Sequence, residues 1–209
     1  MIEMKGSKVM GKLVYGVGIS EKGEFKRSEV VDGKWVVTKE YRLWAHMLER
    51  CYSDECHHRQ PTYARCAVSD NFKNFQWFAK WCQSQIGFGM QGYQLDKDIL
   101  VQGNNIYSED TCVFVPRRIN LLLTKSDATR GIYPVGVAWK QANKKYVARC
   151  NDGSGKQKQL GYFLTPEDAF YNYKTVKEAL IKSLADEYKG ILDHRVFTAL
   201  MAYTVDIND

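Results

Sequence analysis

The sequence predicts an α+β protein. Two stretches carry apolar residues at every third or fourth position, which is typical of helices with one buried face, and three later stretches have the length and composition of short strands. Hydrophobic residues make up 44% of the chain and charged residues 26%, as in globular proteins. We therefore expect small sheets packed against helices.

The N-terminal part predicts a short hairpin followed by two helices. Residues 13–20 and 34–38 are the expected strands. Apolar spacing predicts the first helix over residues 40–52, and Asp70 is expected to cap a second helix over residues 72–82. A polar loop is expected between the two helices.

Residues 93–123 predict a strand, a loop, a second strand and a short helix, which together form a ββα unit. A turn is expected at residues 103–105, and Pro116 is expected to begin the helix. The polar residues 126–131 that follow predict a domain boundary. We expect domains at residues 1–125 and 131–190, followed by a C-terminal helix and tail at 191–209.

The C-terminal domain predicts three strands and one long helix. The strands are expected at residues 135–139, 146–150 and 159–163. Thr165 supplies a capping hydroxyl and Pro166 the first helical position. The apolar face of this helix is expected to pack on one face of the sheet and to leave the other face in solvent. The residues of this apolar face are Ala169, Phe170, Tyr173, Val176, Leu180, Leu184 and Tyr188.

Positive charge is concentrated in one segment. The chain carries a net charge of +6, and residues 121–160 alone contain eight basic and two acidic residues. A basic sheet that also carries aromatic residues indicates binding to a nucleic-acid backbone, although a merely solvated sheet edge would look similar. The eight basic residues are Lys125, Arg130, Lys140, Lys144, Lys145, Arg149, Lys156 and Lys158.

The apolar runs and the cysteines indicate the cellular compartment of the protein. No apolar run approaches the length of a membrane span and the N-terminus is too polar for a signal peptide, so we expect a soluble cytoplasmic protein with reduced thiols.

Cys51, Cys56, His57 and Cys66 are residue types that bind zinc, but their spacing is not that of a zinc motif. The alternative is that Cys51 and Cys66 are buried and His57 lies in a loop.

Residues 35–125 resemble phage-encoded HNH endonuclease-like proteins. The resemblance rests on W-x2-ML-x-RCY at 44–52, LDKDI at 95–99, and YS-x2-TC-x-FVP-x2-IN at 107–120. It implies metal-assisted phosphodiester hydrolysis in an infected bacterial host cell, with a histidine as base. Here the base position falls on Asp96-Lys97-Asp98, and none of the four histidines lies in the unit.

Three interpretations of this triplet remain open. Asp96 and Asp98 could bind Mg²⁺ together with Asn120, because hard oxygen ligands suit that ion. The unit could instead be degenerate and keep only its DNA-docking shape, or the triplet could be plain surface charge. Arg117 and Arg118, at the start of the short helix, are candidates for phosphate contacts.

Residues 131–177 resemble the Apetala-type DNA-binding domain, which reads the major groove with its exposed sheet. The resemblance rests on Gly-Val at 136–137, Tyr-x-Ala at 146–148, and LG-x-F-x-T-x-E-x-A-x3-Y at 160–173. Ala138 replaces an arginine that is usual in that family. The resemblance implies sheet contacts to DNA from Lys140, Arg149, Asn151, Gln157 and Gln159, and phosphate contacts from Lys144, Lys145, Lys156 and Lys158.

Three functions follow from these features. The first is an HNH-type DNA endonuclease that uses Mg²⁺ and binds double-stranded DNA. The second is a DNA-binding regulator or architectural protein without enzymatic activity. The third is a phage accessory protein that binds a host protein through its many aromatic residues. The concentration of positive charge favours double-stranded DNA as the partner.

Overall fold

The computed structural model describes residues 13–124 and 131–208. It has the mixed α+β composition that the sequence predicts. The N-terminal elements are β1 (Ser28–Val31), β2 (Lys34–Val37), α1 (Lys39–Tyr52), α2 (Asp54–Arg59), a 3₁₀ turn (Pro61–Arg65), β3 (Ala67–Val68), α3 (Asp70–Lys73) and α4 (Phe75–Gln83).

The remaining elements form the middle and the C-terminal part of the chain. They are β4 (Tyr93–Asp96), β5 (Ile106–Tyr107), β6 (Val113–Pro116), α5 (Arg117–Leu123), β7 (Val137–Lys140), β8 (Lys145–Asn151), β9 (Gln157–Phe163), α6 (Pro166–Glu187) and α7 (His194–Met201).

The strands form four small sheets. β1 pairs with β2 and β4 with β6, both antiparallel, while β3 and β5 form a short parallel pair. β7, β8 and β9 form an antiparallel sheet in that order. The middle of the chain therefore contains two antiparallel strands, β4 and β6, followed directly by helix α5.

The N-terminal hairpin lies later in the chain than the prediction placed it. Its first strand is Ser28–Val31, whereas residues 13–20 contribute only isolated bridges. Asp32 and Gly33 make the turn with φ angles of 51° and 75°. Asp-Gly is a favoured pair for two-residue hairpin turns because both positions need positive φ.

Helix α1 forms where the apolar spacing predicted it. The Thr38 side chain accepts a hydrogen bond from the Tyr41 backbone N–H and caps the first turn. Trp44, Met47 and Leu48 are almost completely buried on its inner face. The prediction for this helix is confirmed.

The second predicted helix is divided in two. Ser69, and not Asp70, caps α3 by accepting from the Phe72 N–H, and Asn74 then caps α4 by accepting from the Trp77 N–H. The loop expected before it also contains α2, which Ser53 caps. Side-chain oxygens at these positions end one helix and begin the next, although the aromatic stripe runs on without a break.

Two clusters of buried side chains hold the fold together. The first consists mainly of aromatic and aliphatic residues of α1, α3 and α4, together with Phe114 of β6. The second joins Val113 and Val115 of β6 and Ile119 of α5 to Phe170 of α6 and its neighbours. The 93–123 unit and the C-terminal sheet and helix thus share one hydrophobic core.

Helix α6 begins as predicted and buries a partly different stripe. Thr165 accepts from the Asp168 N–H, and Pro166 is the first helical residue. Lys177 and Ile181 are buried where the sequence suggested Val176 and Leu180. The Lys177 ammonium donates to the Leu122 carbonyl oxygen at the end of α5, and burial lowers the pKa of this lysine.

In the described part of the chain, no helix combines the length and the apolar character that a bilayer span requires.

Candidate nucleic-acid interface

The register of the β7–β9 sheet gives it two different faces. Val137 pairs with Ala148 and Trp139 with Tyr146, so these side chains share the face on which α6 packs. Trp139 keeps 40% of its surface exposed at the edge of this face. The opposite face therefore carries the residues that alternate with these.

The opposite face is polar and basic towards its ends. Lys140 lies across from Lys145, and Arg149 lies across from Gln159 beyond a bulge at residues 148–149. Ala138, Val147 and Tyr162 form the apolar middle of the same face. We call this surface the sheet face; its exposed polar residues are Lys140, Lys145, Arg149, Gln157 and Gln159.

Lys144, Lys156 and Lys158 surround the sheet face, whereas the predicted Lys125 and Arg130 lie outside the described residues. Lys144 is exposed in the β7–β8 turn, where it has a left-handed φ of 48°. Lys156 is exposed in the β8–β9 loop, and Lys158 is exposed opposite Cys150 in the register. These three lysines lie at the two turns and at the outer strand.

Asn151 is engaged within the protein. Its side-chain oxygen accepts from the Gly153 N–H at 2.8 Å, and its amide nitrogen donates to the Leu121 carbonyl at 3.4 Å. The residue is half-buried between β8 and the end of α5. Asn151 thus connects the sheet to the 93–123 unit, and a base contact would have to replace these bonds.

The basic residues of the sheet face and its turns form none of the described ion pairs. In the described ranges 13–124 and 131–208, the ion pairs within 4.0 Å involve the basic residues Arg59, Lys73, Lys97, Arg118, Lys174 and Arg195. None of these lies in the β7–β9 sheet or its turns. The sheet therefore presents positive charge that is not ion-paired within 4.0 Å to a described carboxylate. The hydrogen bonds from Ser154 lower the pKa of the Asp152 carboxyl, and Lys156 alone of the basic residues here lies near enough to lower it further.

The two arginines at the start of α5 behave differently. Arg118 Nη1 contacts both carboxylate oxygens of Glu187 in α6, at 2.6 and 2.8 Å. Arg117 has an exposed side chain, and its backbone N–H donates to the Gly92 carbonyl at 2.7 Å. Arg118 thus serves the contact between α5 and α6, whereas the Arg117 side chain faces solvent.

A groove of about 850 Å³ runs beside β4. One wall is the face of α1 that carries His46 and Arg50, and the other is formed by α5 and Tyr203. The residues predicted to form a catalytic or Mg²⁺ site, Asp96, Asp98 and Asn120, all line this groove.

The two aspartates are already engaged by the protein. Asp96 Oδ1 accepts from the Asp98 and Ile99 backbone N–H groups, both at 2.8 Å. Asp98 contacts the Lys97 ammonium at 2.6 Å. Burial raises the pKa of Asp96, while the two N–H donors and Lys97 oppose this rise. One oxygen of Asp96 and one oxygen of Asp98 are thus engaged by the protein, and the magnesium site formed with Asn120 stays a prediction.

Lys97 lies in the Asp96-Lys97-Asp98 triplet, on which the HNH resemblance places the base. Its side chain is 7% exposed, and its ammonium also donates to the Asn104 carbonyl at 2.9 Å. Asn120, the third predicted ligand, donates its amide to Gln94 Oε1 at 2.9 Å. Lys97 is thus a buried structural cation that holds the turn after β4.

The predicted zinc ligands belong to α1, α2 and the residue that follows the 3₁₀ turn. Cys51 and Cys66 are buried in the aromatic core, and burial raises the pKa of the Cys51 thiol to about 12. Cys56 is buried in α2, and His57 Nε2 contacts the Arg50 carbonyl oxygen at 2.9 Å. Across the described residues, no group of three or more His, Cys, Asp or Glu side chains is placed to bind a metal ion.

Sequence reasoning missed the basic wall of the groove. His46 and Arg50 are four positions apart on α1, so they lie on one face of the helix and line the groove together. Arg50 belongs to the RCY motif at 50–52, which offered a signal. The spacing alone does not show that the groove lies on this side of the helix.

Comparison with known proteins finds no matching family model, no matching curated protein and no matching solved structure.

Proposed function

We propose that this is a DNA-binding protein that holds double-stranded DNA against the sheet face. One observation carries the proposal: six exposed basic residues lie together on and around the β7–β9 sheet, and none of them forms an ion pair with a described carboxylate. Unneutralised lysines and arginines on one surface attract a phosphate backbone and release its counterions.

The distribution of side chains on the sheet face suggests separate roles. Lys140, Lys145 and Arg149 are exposed at its ends, and residues there can contact phosphates on either side of a groove. Gln157 and Gln159 are exposed on the outer strand and can make paired hydrogen bonds to an adenine edge in the major groove. We infer that the basic residues supply affinity and the glutamines supply sequence preference.

We further propose that the 93–123 unit docks DNA and does not cleave it. This is supported by the hydrogen bonds and the ion pair that engage Asp96 and Asp98, and by the burial of Lys97 within the triplet on which the expected base falls. No histidine lies in residues 93–123 and a carboxylate is a weak base near neutral pH, so the unit would generate a hydroxide nucleophile poorly. The resemblance to phage proteins favours a role in the cytoplasm of an infected bacterium.

The proposal is tested by titrating the full chain with duplex DNA at several salt concentrations. If all six basic residues on and around the sheet face contact phosphates, log K should fall against log[salt] with a slope of about −5. A flat dependence would remove DNA as the partner and favour the host-protein alternative.

A separate assay tests the absence of cleavage. Supercoiled plasmid is incubated with Mg²⁺ or Mn²⁺ and either the native chain or the Asp96→Ala, Asp98→Ala double variant. We expect no nicking by either protein. Nicking by the native chain that disappears in the double variant would establish a carboxylate-dependent nuclease instead.

A further inference from the structure

The groove beside β4 contains an arginine whose surroundings are unusual. Arg50 is half-buried on α1, and it lines the groove. Its guanidinium lies 5.5 Å from the centroid of the Tyr63 ring, and Tyr107 lines the same groove. Both tyrosines are uncharged at neutral pH, so neither neutralises the arginine.

Two carboxylates close to Arg50 in the sequence or in the groove form ion pairs with other basic residues. Glu49 lies 3.7 Å from Arg59, and Asp98 lies 2.6 Å from Lys97. The described ion pairs within 4.0 Å do not include Arg50. A partly buried charge without a counterion is costly, and an anion from outside the protein would relieve that cost.

The groove provides further donors and enough space. His46 lies one helical turn before Arg50, and Gln60, Thr62 and Tyr63 line the same wall. The volume of about 850 Å³ lies within the range of nucleotide-sized ligand sites and is far larger than a bare ion needs. Asp96 is the other acidic residue of the lining besides Asp98, and one of its oxygens is hydrogen-bonded to backbone N–H groups.

We propose that the groove is a second nucleic-acid site, in which Arg50, assisted by His46, binds a phosphate group. A guanidinium presents paired N–H donors that match two phosphate oxygens, and the Tyr63 ring lies beside that of Arg50. The phosphate belongs either to a terminal monoester or to a backbone diester of a DNA strand. This site is separate from the sheet face and deepens the proposed DNA-binding function.

The test uses a variant that lacks the basic residues of the sheet face, so that the groove is measured alone. The full chain with Lys140→Gln, Lys145→Gln and Arg149→Gln is titrated with a short single-stranded oligodeoxynucleotide. The oligonucleotide is supplied with and without a 5′-phosphate, and inorganic phosphate serves as competitor. Arg50→Gln is then added to this background, with Arg42→Gln as the matched control, because the exposed Arg42 side chain is not part of the groove lining.

We expect Arg50→Gln to weaken binding by about tenfold to hundredfold and Arg42→Gln to leave it unchanged. A loss confined to the 5′-phosphorylated strand identifies a terminal monoester, and an equal loss for both strands identifies a backbone diester. Equal affinities of the Arg50 and Arg42 variants would overturn the inference, as would no binding in the sheet-face background.

A folding control keeps the test decisive. Because Arg50 is half-buried beside the Tyr63 ring, its replacement could lower the melting temperature. In that case His46→Gln, at an exposed position, replaces it, and we expect binding to weaken by about threefold or more. Unchanged binding in that variant would overturn the inference. If the native chain still binds duplex DNA with a steep salt dependence, the proposed function stands while the groove inference fails.

Discussion

Removing the charge of the sheet face should weaken DNA binding far more than removing the same charge elsewhere. The triple variant Lys140→Gln, Lys145→Gln, Arg149→Gln removes three of the six positive charges on and around this face, all at exposed positions without described ion pairs. Its fold should be unaffected, because exposed side chains away from caps and networks contribute little to stability.

The salt dependence of binding sets the magnitude. Six phosphate contacts predict a slope of about −5 in log K against log[salt], and three contacts predict about −3. Raising the salt from about 50 to 200 mM should therefore weaken the native complex roughly a thousandfold but the variant complex only roughly fortyfold. Fluorescence anisotropy with a labelled duplex measures both slopes.

The matched control carries the same loss of charge away from the sheet. Lys22, Lys80 and Lys182 are exposed and lie outside the β7–β9 sheet and its turns, so their replacement by Gln should leave the slope close to that of the native chain. If the two triple variants lose the same slope, net charge alone governs binding and the sheet face has no special role.

Three further predictions concern stability, each measured by denaturant unfolding. Gly136 has a φ of 78°, and an added Cβ would lie 2.2 Å from the Tyr173 ring. We expect Gly136→Ala to lower the free energy of unfolding by about 3 kcal/mol or more. The control Gly155→Ala should lower it by only about 1 kcal/mol, because Gly155 also has a positive φ but its added Cβ would contact no neighbour. Thr165→Ala removes the α6 cap and should cost about 1 kcal/mol. Burial raises the pKa of the Cys112 thiol from 9.0 to about 12, so stability should fall above pH 9, where only the unfolded chain releases this proton.

Each of these predictions has an outcome that would contradict it. Equal costs for Gly136→Ala and Gly155→Ala would show that the ring contact is unimportant. Thr175→Ala, within α6, is the control for the cap, and an equal loss there would dismiss capping at Thr165. For Cys112, the fall should reach at most about 1.4 kcal/mol per pH unit from this group and become shallower in Cys112→Ala; an unchanged slope would assign the alkaline loss to other groups.

The sequence was sufficient to predict a helix end where the residues that define it lie within one helical turn of that end. Thr165 and Pro166 begin α6 because the hydroxyl and the fixed φ act on adjacent residues. The aromatic stripe of residues 72–82 was a poorer guide, because a stripe does not reveal that Asn74 ends one helix and caps another. The Asp32-Gly33 turn was readable from the sequence but was overlooked.

Some residues of the candidate interface could likewise be predicted from the local sequence, and others depend on partners far away in the chain. The alternation of β7 and β8 was enough to place Lys140 and Arg149 on the helix-free face, since neighbouring residues point to opposite sides of a strand. Arg118 could not be assigned from the sequence, because its partner Glu187 lies 69 residues away. The burial of Lys177 likewise depends on the carbonyl of Leu122, which only the packing of α5 on α6 brings near.

The central claim is that DNA lies against the sheet face, and lysine footprinting tests it most directly. The full chain is acetylated briefly with and without excess duplex DNA, and each lysine is quantified by mass spectrometry. We expect DNA to protect Lys140, Lys144 and Lys145 while the distant exposed Lys80 and Lys182 react equally in both samples. Uniform reactivity, or protection of Lys80 and Lys182 without the sheet lysines, would contradict the account.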